Sequence, residues 1–196
     1  MKVELWTSAA SIAEMERNAA LATLTCRGNA DKEHVPSEVL TRIIKAGHES
    51  VLEHINLTYS VKGLSRACLQ ELARHRHISL SVESTRHTLR KQATEGFVCS
   101  AFSDVYRHDK AMGVVIFASQ HPELTNDELK YYLPEFWPTN LVLTSNVREL
   151  RHILRLRTAP AALREFRELA RAMYEAVPEA FKYLLKDCVY EETDHE

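Results

Sequence analysis

Residues 55 to 62, "INLTYSVK", alternate strictly, with Ile55, Leu57, Tyr59 and Val61 set against Asn56, Thr58, Ser60 and Lys62. Period-two alternation of this kind describes a strand with one face buried and one face wet. Immediately afterwards "GLSRACLQELARHR" changes to helical spacing, with Leu64, Ala67, Cys68 and Leu72 on one stripe. The same change recurs where "TNLVLTSN" reads as a strand and feeds directly into the helical "VRELRHILRLR". A chain that passes from strand to helix with no linker cannot be all-α or all-β. The expected class is α+β, a mixed domain whose β-sheet packs with long helices.

Other segments fit that class. "KVELWT" predicts a first strand, and "PSEVLTRIIKAG" a helix that starts at Pro36 and stops at Gly47. "EGFVCSAF" reads as a strand and residues 103 to 120 as a helix. Thr125 caps a short helix through Tyr132, before Pro134. Pro160 opens another helix with Ala162, Phe166, Leu169, Ala170 and Met173 on one face, and a last short helix covers about 179 to 186. At 196 residues, 45% hydrophobic and 27% charged, with neither repeats nor low-complexity stretches, the expectation is a single domain over 1–196.

Composition also excludes some functions. No apolar run is long enough for a membrane span, and Glu4 and Trp6 interrupt the stretch where a signal peptide would need apolar residues. Cys26, Cys68, Cys99 and Cys188 are scattered without a C-x-x-C pair, which predicts reduced thiols in a cytoplasmic protein. A net charge of −2 argues against a protein that coats nucleic acid. The positive charge is local instead.

"RHRHISLSVESTRH", residues 74 to 87, carries three arginines and three histidines against the single acid Glu83. Cations at a helix C-terminus complement the helix dipole, and that covers Arg74 and Arg76. It does not cover Ser79, Ser81, Ser84 and Arg86, which carry the pattern on into what reads as a loop. Alternating hydroxyls and guanidinium groups suit a phosphate or a heterocycle carbonyl. In "NVRELRHILRLR" the stripe Val147, Leu150, Leu154 steps next onto Arg157, a charge where an apolar residue is due. Such a charge is either at a frayed helix end or aimed into a pocket with a partner, and the cost of burying a charge alone favours the pocket. Arg148, Arg151 and Arg155 share another face and read mostly as a solvated surface. No metal site is expected, because arginines crowd "HRH" and no acid or cysteine cluster completes a ligand set. With five glycines in all and no Gly-rich phosphate loop, a P-loop or Rossmann cofactor site is excluded.

These motifs resemble those of the flavin-dependent thymidylate synthases. Arg74-His75-Arg76 followed by seven residues and Ser84 matches the family's R-H-R-x7-S. "GHESVLEH" (47–54) is similar to its G-H-E-S/T-x-x-E-H, and "SRACLQELARHR" (65–76) to its S-R-A-x-x-x-Q-L-x-R-H-R. "SNVRELRHILRLR" (145–157) resembles N-x-R-x-L-x-x-F-x-x-L-R, and "AALREFRELA" resembles A-Q-x-E-I-x-x-L-A. The resemblance implies a homotetramer with active sites shared between subunits. It implies methylation of dUMP to dTMP, with 5,10-methylenetetrahydrofolate giving the carbon and NADPH reducing a bound FAD that supplies hydride. No cysteine need attack the pyrimidine.

By position, the resemblance assigns Ser50, Arg74, His75, Arg76, Asn146, Arg148 and His152 to FAD, and His48 to the flavin and folate side. Glu71, Arg74, Ser84, Thr85, Arg86, Lys130 and Arg157 fall to dUMP. Arg157 and Ser84 stand at the reacting ring, Arg157 gripping it and Ser84 positioning it, since no adjacent base makes Ser84 a nucleophile. The chain departs from the family pattern at His87, Glu71, Val82 and Leu163, and Lys130 stands where an arginine is usual. Two rival readings follow: a nucleotide- or nucleic-acid-binding protein using its arginine clusters, or a relative that binds FAD and dUMP without methyl transfer.

Overall fold

The computed structural model describes residues 1–29, 31, 38–95 and 105–191. In chain order the elements are β1 (Lys2–Leu5), α1 (Ala9–Thr25), α2 (Val39–Lys45), β2 (Asn56–Ser65), α3 (Arg66–Leu72), β3 (Ile78–Val82), α4 (Thr85–Glu95), α5 (Val105–Gln120), α6 (Asn126–Leu129), β4 (Pro138–Asn146), α7 (Val147–Arg157) and α8 (Arg164–Glu175). Short 3₁₀ helices cover Glu49–His54, Lys130–Tyr132, Glu179–Leu184 and Lys186–Cys188. The strands form one sheet in the order β1-β2-β4-β3. The α+β class is as expected.

By contact the chain falls into two compact units, one holding Met1–Lys2, Val61–Arg74 and Leu80–Val142, the other Val3–Ser60, His75–Ser79 and Leu143–Glu196. In the first unit, Trp137 is fully buried against Ala111 and Val114. Its indole N–H donates to Gln92 at 2.8 Å. A second apolar cluster joins Leu89, Ala118 and Leu129. Arg90 ties this unit together by donating to the carbonyls of Ala118, His121 and Leu124. In the second unit, Leu57 and Tyr59 of β2 are buried, with Ile55 just before the strand. The inner faces of α7 and α8 are buried as well, through Val147, Leu150, Leu154, Phe166, Leu169, Ala170 and Met173.

Several boundaries differ from the expectation. Gly63 and Leu64 remain in β2, and the helix starts at Arg66 because Ser65 caps it, its hydroxyl accepting from the Cys68 amide at 3.0 Å. The segment after Arg76 is not a loop: Ile78–Val82 alternates apolar and polar residues as β3, and α4 begins at Thr85. Dense charge around that short alternation masked it. The helix expected from Pro160 starts at Arg164, because Arg167 binds the Pro160 and Ala162 carbonyls and holds the preceding turn. The last helix is 3₁₀ in geometry. Helix α1 had no counterpart in the sequence reading. Its buried face is Ile12, Ala19, Ala20 and Thr23, largely small residues whose period is faint.

Gly47 follows α2 at φ +72°, a left-handed turn that glycine adopts at no steric cost, so the helix stops where expected. Thr125 caps α6 in a reciprocal box with Glu128. Pro36, Cys99 and most of the "EGFVCSAF" strand lie outside the described residues; its first residue, Glu95, ends α4.

Candidate active site

The site grows from the junction of β4 and α7. Asn146 ends the strand in extended conformation, and its side-chain oxygen accepts from the Glu149 amide at 2.8 Å, capping the helix. The cap sets the rotation of α7. Val147, Leu150 and Leu154 face the core, Arg148, His152 and Arg155 face outward, and Arg157 ends the buried stripe half-exposed.

Arg157 has the partners its position demanded. Its Nε–H donates to His75 Nε2 at 3.1 Å, and its guanidinium lies 4.6 Å over the Phe166 ring. His75 is buried, with its Nδ1 3.1 Å from Glu149 Oε1. An arginine Nε always carries hydrogen, so His75 Nε2 is the acceptor and Nδ1 carries the proton. Burial lowers the pKa of this imidazole below the usual histidine value, and the charges of Arg157 and His152 push the same way, against the hydrogen bond to Glu149 and its charge. His75 is therefore a neutral ring joined at both nitrogens.

On the outward face of α7 lies an open pocket of about 570 Å³, lined by Glu49, Glu53, His77, Asn146, Arg148, Glu149, His152 and Arg155. Arg148 pairs with Glu53 at 2.5 Å and Arg155 with Glu49 at 2.6 Å. Burial works to raise the Glu49 carboxyl, but hydrogen bonds and charge from Arg155 and Arg151 outweigh it and hold it below its usual range. The 3₁₀ turn Glu49–His54 thus lends the pocket two of its acids and α7 lends Glu149, whereas His48 and Ser50 are exposed and do not line it. Arg148 and Arg155 are exposed as the mostly solvated face predicts, and Arg151 is the exception. It is 1% exposed, donates to the Leu184 carbonyl, and pairs with Asp187 and Glu49.

A second group sits at the start of α4, in the first unit. Ser84 is exposed and precedes the helix, Thr85 is buried, and the amides there are the kind a helix start leaves without intrahelical acceptors. Arg86 reaches Asp127 at 3.0 Å and Lys130 reaches it at 3.4 Å, so two of the cations expected at dUMP converge on one carboxylate. Arg74 is exposed and lies 3.7 Å from Glu71, while Arg76 is exposed.

A model of the family of thymidylate synthase complementing proteins matches residues 5–181. The flavin-dependent thymidylate synthase of Campylobacter jejuni (strain RM1221) is 37% identical over 183 residues, covering 86% of each chain. The chain belongs to the flavin-dependent thymidylate synthase family. The enzyme of that name from Helicobacter pylori (strain ATCC 700392 / 26695) is 38% identical over 160 residues, 72% of this chain and 76% of that one. Among solved structures, thymidylate synthase X from Helicobacter pylori with FAD and dUMP superposes with a TM-score of 0.80 at 31% identity, covering 97% of this chain and all of that one. A UMP/dUMP methylase from Streptomyces cacaoi shares the fold at a TM-score of 0.66 and 21% identity.

Within this family frame, the acids around the arginines are what sequence reasoning missed. Glu149 stands three residues after the cap Asn146, where it reads as an ordinary capping-box acid. Asp127 stands in the first turn of α6, where it reads as a dipole partner. Neither pattern announces that the carboxylate meets a site histidine or a pair of site cations.

Proposed function

We propose that this chain catalyses the reductive methylation of dUMP to dTMP, with 5,10-methylenetetrahydrofolate as carbon donor and NADPH as reductant through bound FAD. The observation that carries this reading is the convergence of two motifs 82 residues apart: Arg157, assigned to the pyrimidine, is bonded to His75 of the Arg-His-Arg motif. Each motif alone is a short string. Their meeting at one buried imidazole is what a nucleotide site built from both requires.

The donor set of the α7 pocket fits a flavin dinucleotide. Arg148, Arg155, His77, His152 and the Asn146 amide offer cationic and neutral donors for a diphosphate and for ring carbonyls, and Glu49 and Glu53 hold the guanidinium groups in place. When bound there, FAD supplies the hydride. Asn146, Arg148 and His152 hold it, with Arg74, Arg76, His48 and Ser50 completing the contacts from neighbouring subunits of a homotetramer. His75 serves the site through Arg157, both of its nitrogens being engaged.

On the nucleotide side, Arg86, Lys130 and the first amides of α4 take the phosphate, which replaces Asp127 as their shared anion. Ser84, Thr85 and Glu71 position the nucleotide. Arg157 lies against the uracil carbonyls. A fixed cation there stabilises negative charge on the ring oxygen as the ring attacks the methylene carbon. The reaction belongs to the cytoplasm, where the nucleotide and folate pools are.

The test is direct. The purified protein should be yellow, release about one FAD per chain on denaturation, and methylate dUMP when given methylenetetrahydrofolate and NADPH. A colourless protein that refuses added FAD refutes the proposal. A yellow protein that binds dUMP without methylating it refutes the reaction but not the binding sites.

A further inference from the structure

We propose that Glu149 is a positioning residue for Arg157, acting through His75; the proposal rests on the reading of Arg157 as the pyrimidine-gripping residue. Glu149 is 9% exposed, and a carboxylate buried in the first turn of an apolar-faced helix is costly unless it has work to do. Capping does not explain it. The cap is made by the Asn146 side chain to the Glu149 backbone, while the Glu149 carboxylate turns instead to His75 at 3.1 Å. Among the described residues, that imidazole is its side-chain partner.

The chemistry follows from the donor inventory. A neutral imidazole has one N–H and one lone pair, and their places are set by what each nitrogen meets. Glu149 can only accept, so it holds the proton on Nδ1 and leaves the lone pair on Nε2. Arg157 Nε–H can only donate, so it requires that lone pair. Without Glu149 the ring is free to take the Nε2–H form, which sets donor against donor and removes the arginine's Nε contact. Arginine has many rotamers to lose, and the contacts with His75 and the Phe166 face narrow them. Glu149, His75 and Arg157 act as one unit, the acid choosing a tautomer and the tautomer aiming a cation.

The experiment compares Glu149→Gln and Glu149→Ala in the FAD-loaded enzyme, reading the His75 tautomer by nitrogen-15 NMR and the kinetics of dUMP methylation. Glutamine keeps an acceptor at nearly the same place. It should keep the Nδ1–H tautomer, with kcat within about threefold of wild type. Alanine should lose the tautomer and lower kcat about tenfold, moving KM for dUMP by less than about threefold, because what is lost is charge placement in the transition state.

Four results overturn the proposal. One is a wild-type His75 found as the Nε2–H tautomer or as imidazolium at about pH 8, above the usual histidine value. Another is a folded alanine variant with wild-type kcat. A third is an alanine variant in which KM for dUMP shifts as far as kcat, which would mark lost binding and not lost aim. The last is a glutamine variant that loses as much activity as alanine while keeping the tautomer, since the carboxylate would then act by its charge. If the alanine variant does not fold, the wild-type spectrum and the glutamine variant decide. A wild-type enzyme that fails to methylate dUMP refutes the function and leaves the tautomer measurement to judge the relation of Glu149 to His75.

Discussion

Arg157 was legible in the sequence as a charge where an apolar residue was due, and in the structure it is half-exposed with His75 and the Phe166 ring beside it. Arg157→Ala should leave FAD bound while dUMP-dependent turnover falls by on the order of a hundredfold or more, measured as flavin absorbance and methylation on the same preparation. Arg157→Lys should restore little, because a point charge reproduces neither the Nε contact nor the planar fork. Ser84 is a milder case. Its exposed hydroxyl sits at the start of α4, so Ser84→Ala should weaken dUMP binding by about 1 kcal/mol, roughly fivefold, while methylation continues. Titration calorimetry and a search for a trapped serine adduct check it. Arg151 is the exception on a face that is otherwise solvated, because a helical wheel shows which residues share a face but not what packs against it. In the structure Asp187, Glu49 and the Leu184 carbonyl meet it.

The elements that were easiest to read are those whose periodicity is local and complete, β2, β4 and α7. Besides α1, those missed are β3 and α4, a five-residue alternation and a helix poor in apolar residues. Glu83 leads into α4, and its carboxylate accepts from Gln92 and Asn140. The junction of β4 and α7 yields a test of local architecture. Asn146→Ala removes the α7 cap and should cost about 1 kcal/mol of stability, read as a lower denaturant midpoint at unchanged slope. Arg151→Ala should cost more, about 3–5 kcal/mol, because it empties a buried guanidinium site and strands the carbonyl and carboxylates it served.

For the protein as a whole, acid stability follows from the shifted groups. His75 has a folded pKa below its unfolded value of 6.5, so its contribution is full above pH 6.5 and is lost as pH falls through the folded value. Glu49 and Asp187 are also held low. Burial opposes this in both, but hydrogen bonds and charge from Arg155 and Arg151 outweigh it at Glu49, and those of Arg151 do so at Asp187. Their contribution stands above their ordinary 4.5 and 3.8 and is lost as pH falls through the lowered values. Denaturant midpoints across pH should therefore decline in two stages, and His75→Gln should flatten the first. A curve with no decline just below pH 6.5 would show that His75 is not held neutral. Light scattering tests the assembly: the active protein should run as a homotetramer, and a fully active monomer would rule out sites shared between subunits.

The sequence by itself determined the α+β class, the placement of the clearest strands and helices, and, through five ordered motifs, the family. It did so because periodicity and cap residues are local properties, and because a motif records residue types at positions where one chemistry is required. The tertiary structure alone decided which acid meets which base. Glu149 and His75 are 74 residues apart, and Arg155 and Glu49 are 106 apart. Each of these acids has an unremarkable local explanation as a first-turn residue. A carboxylate's partner depends on which elements pack together, and packing is a property of the folded chain. For that reason Arg157 and His75 could be singled out in the sequence, and the carboxylate that meets His75 could not.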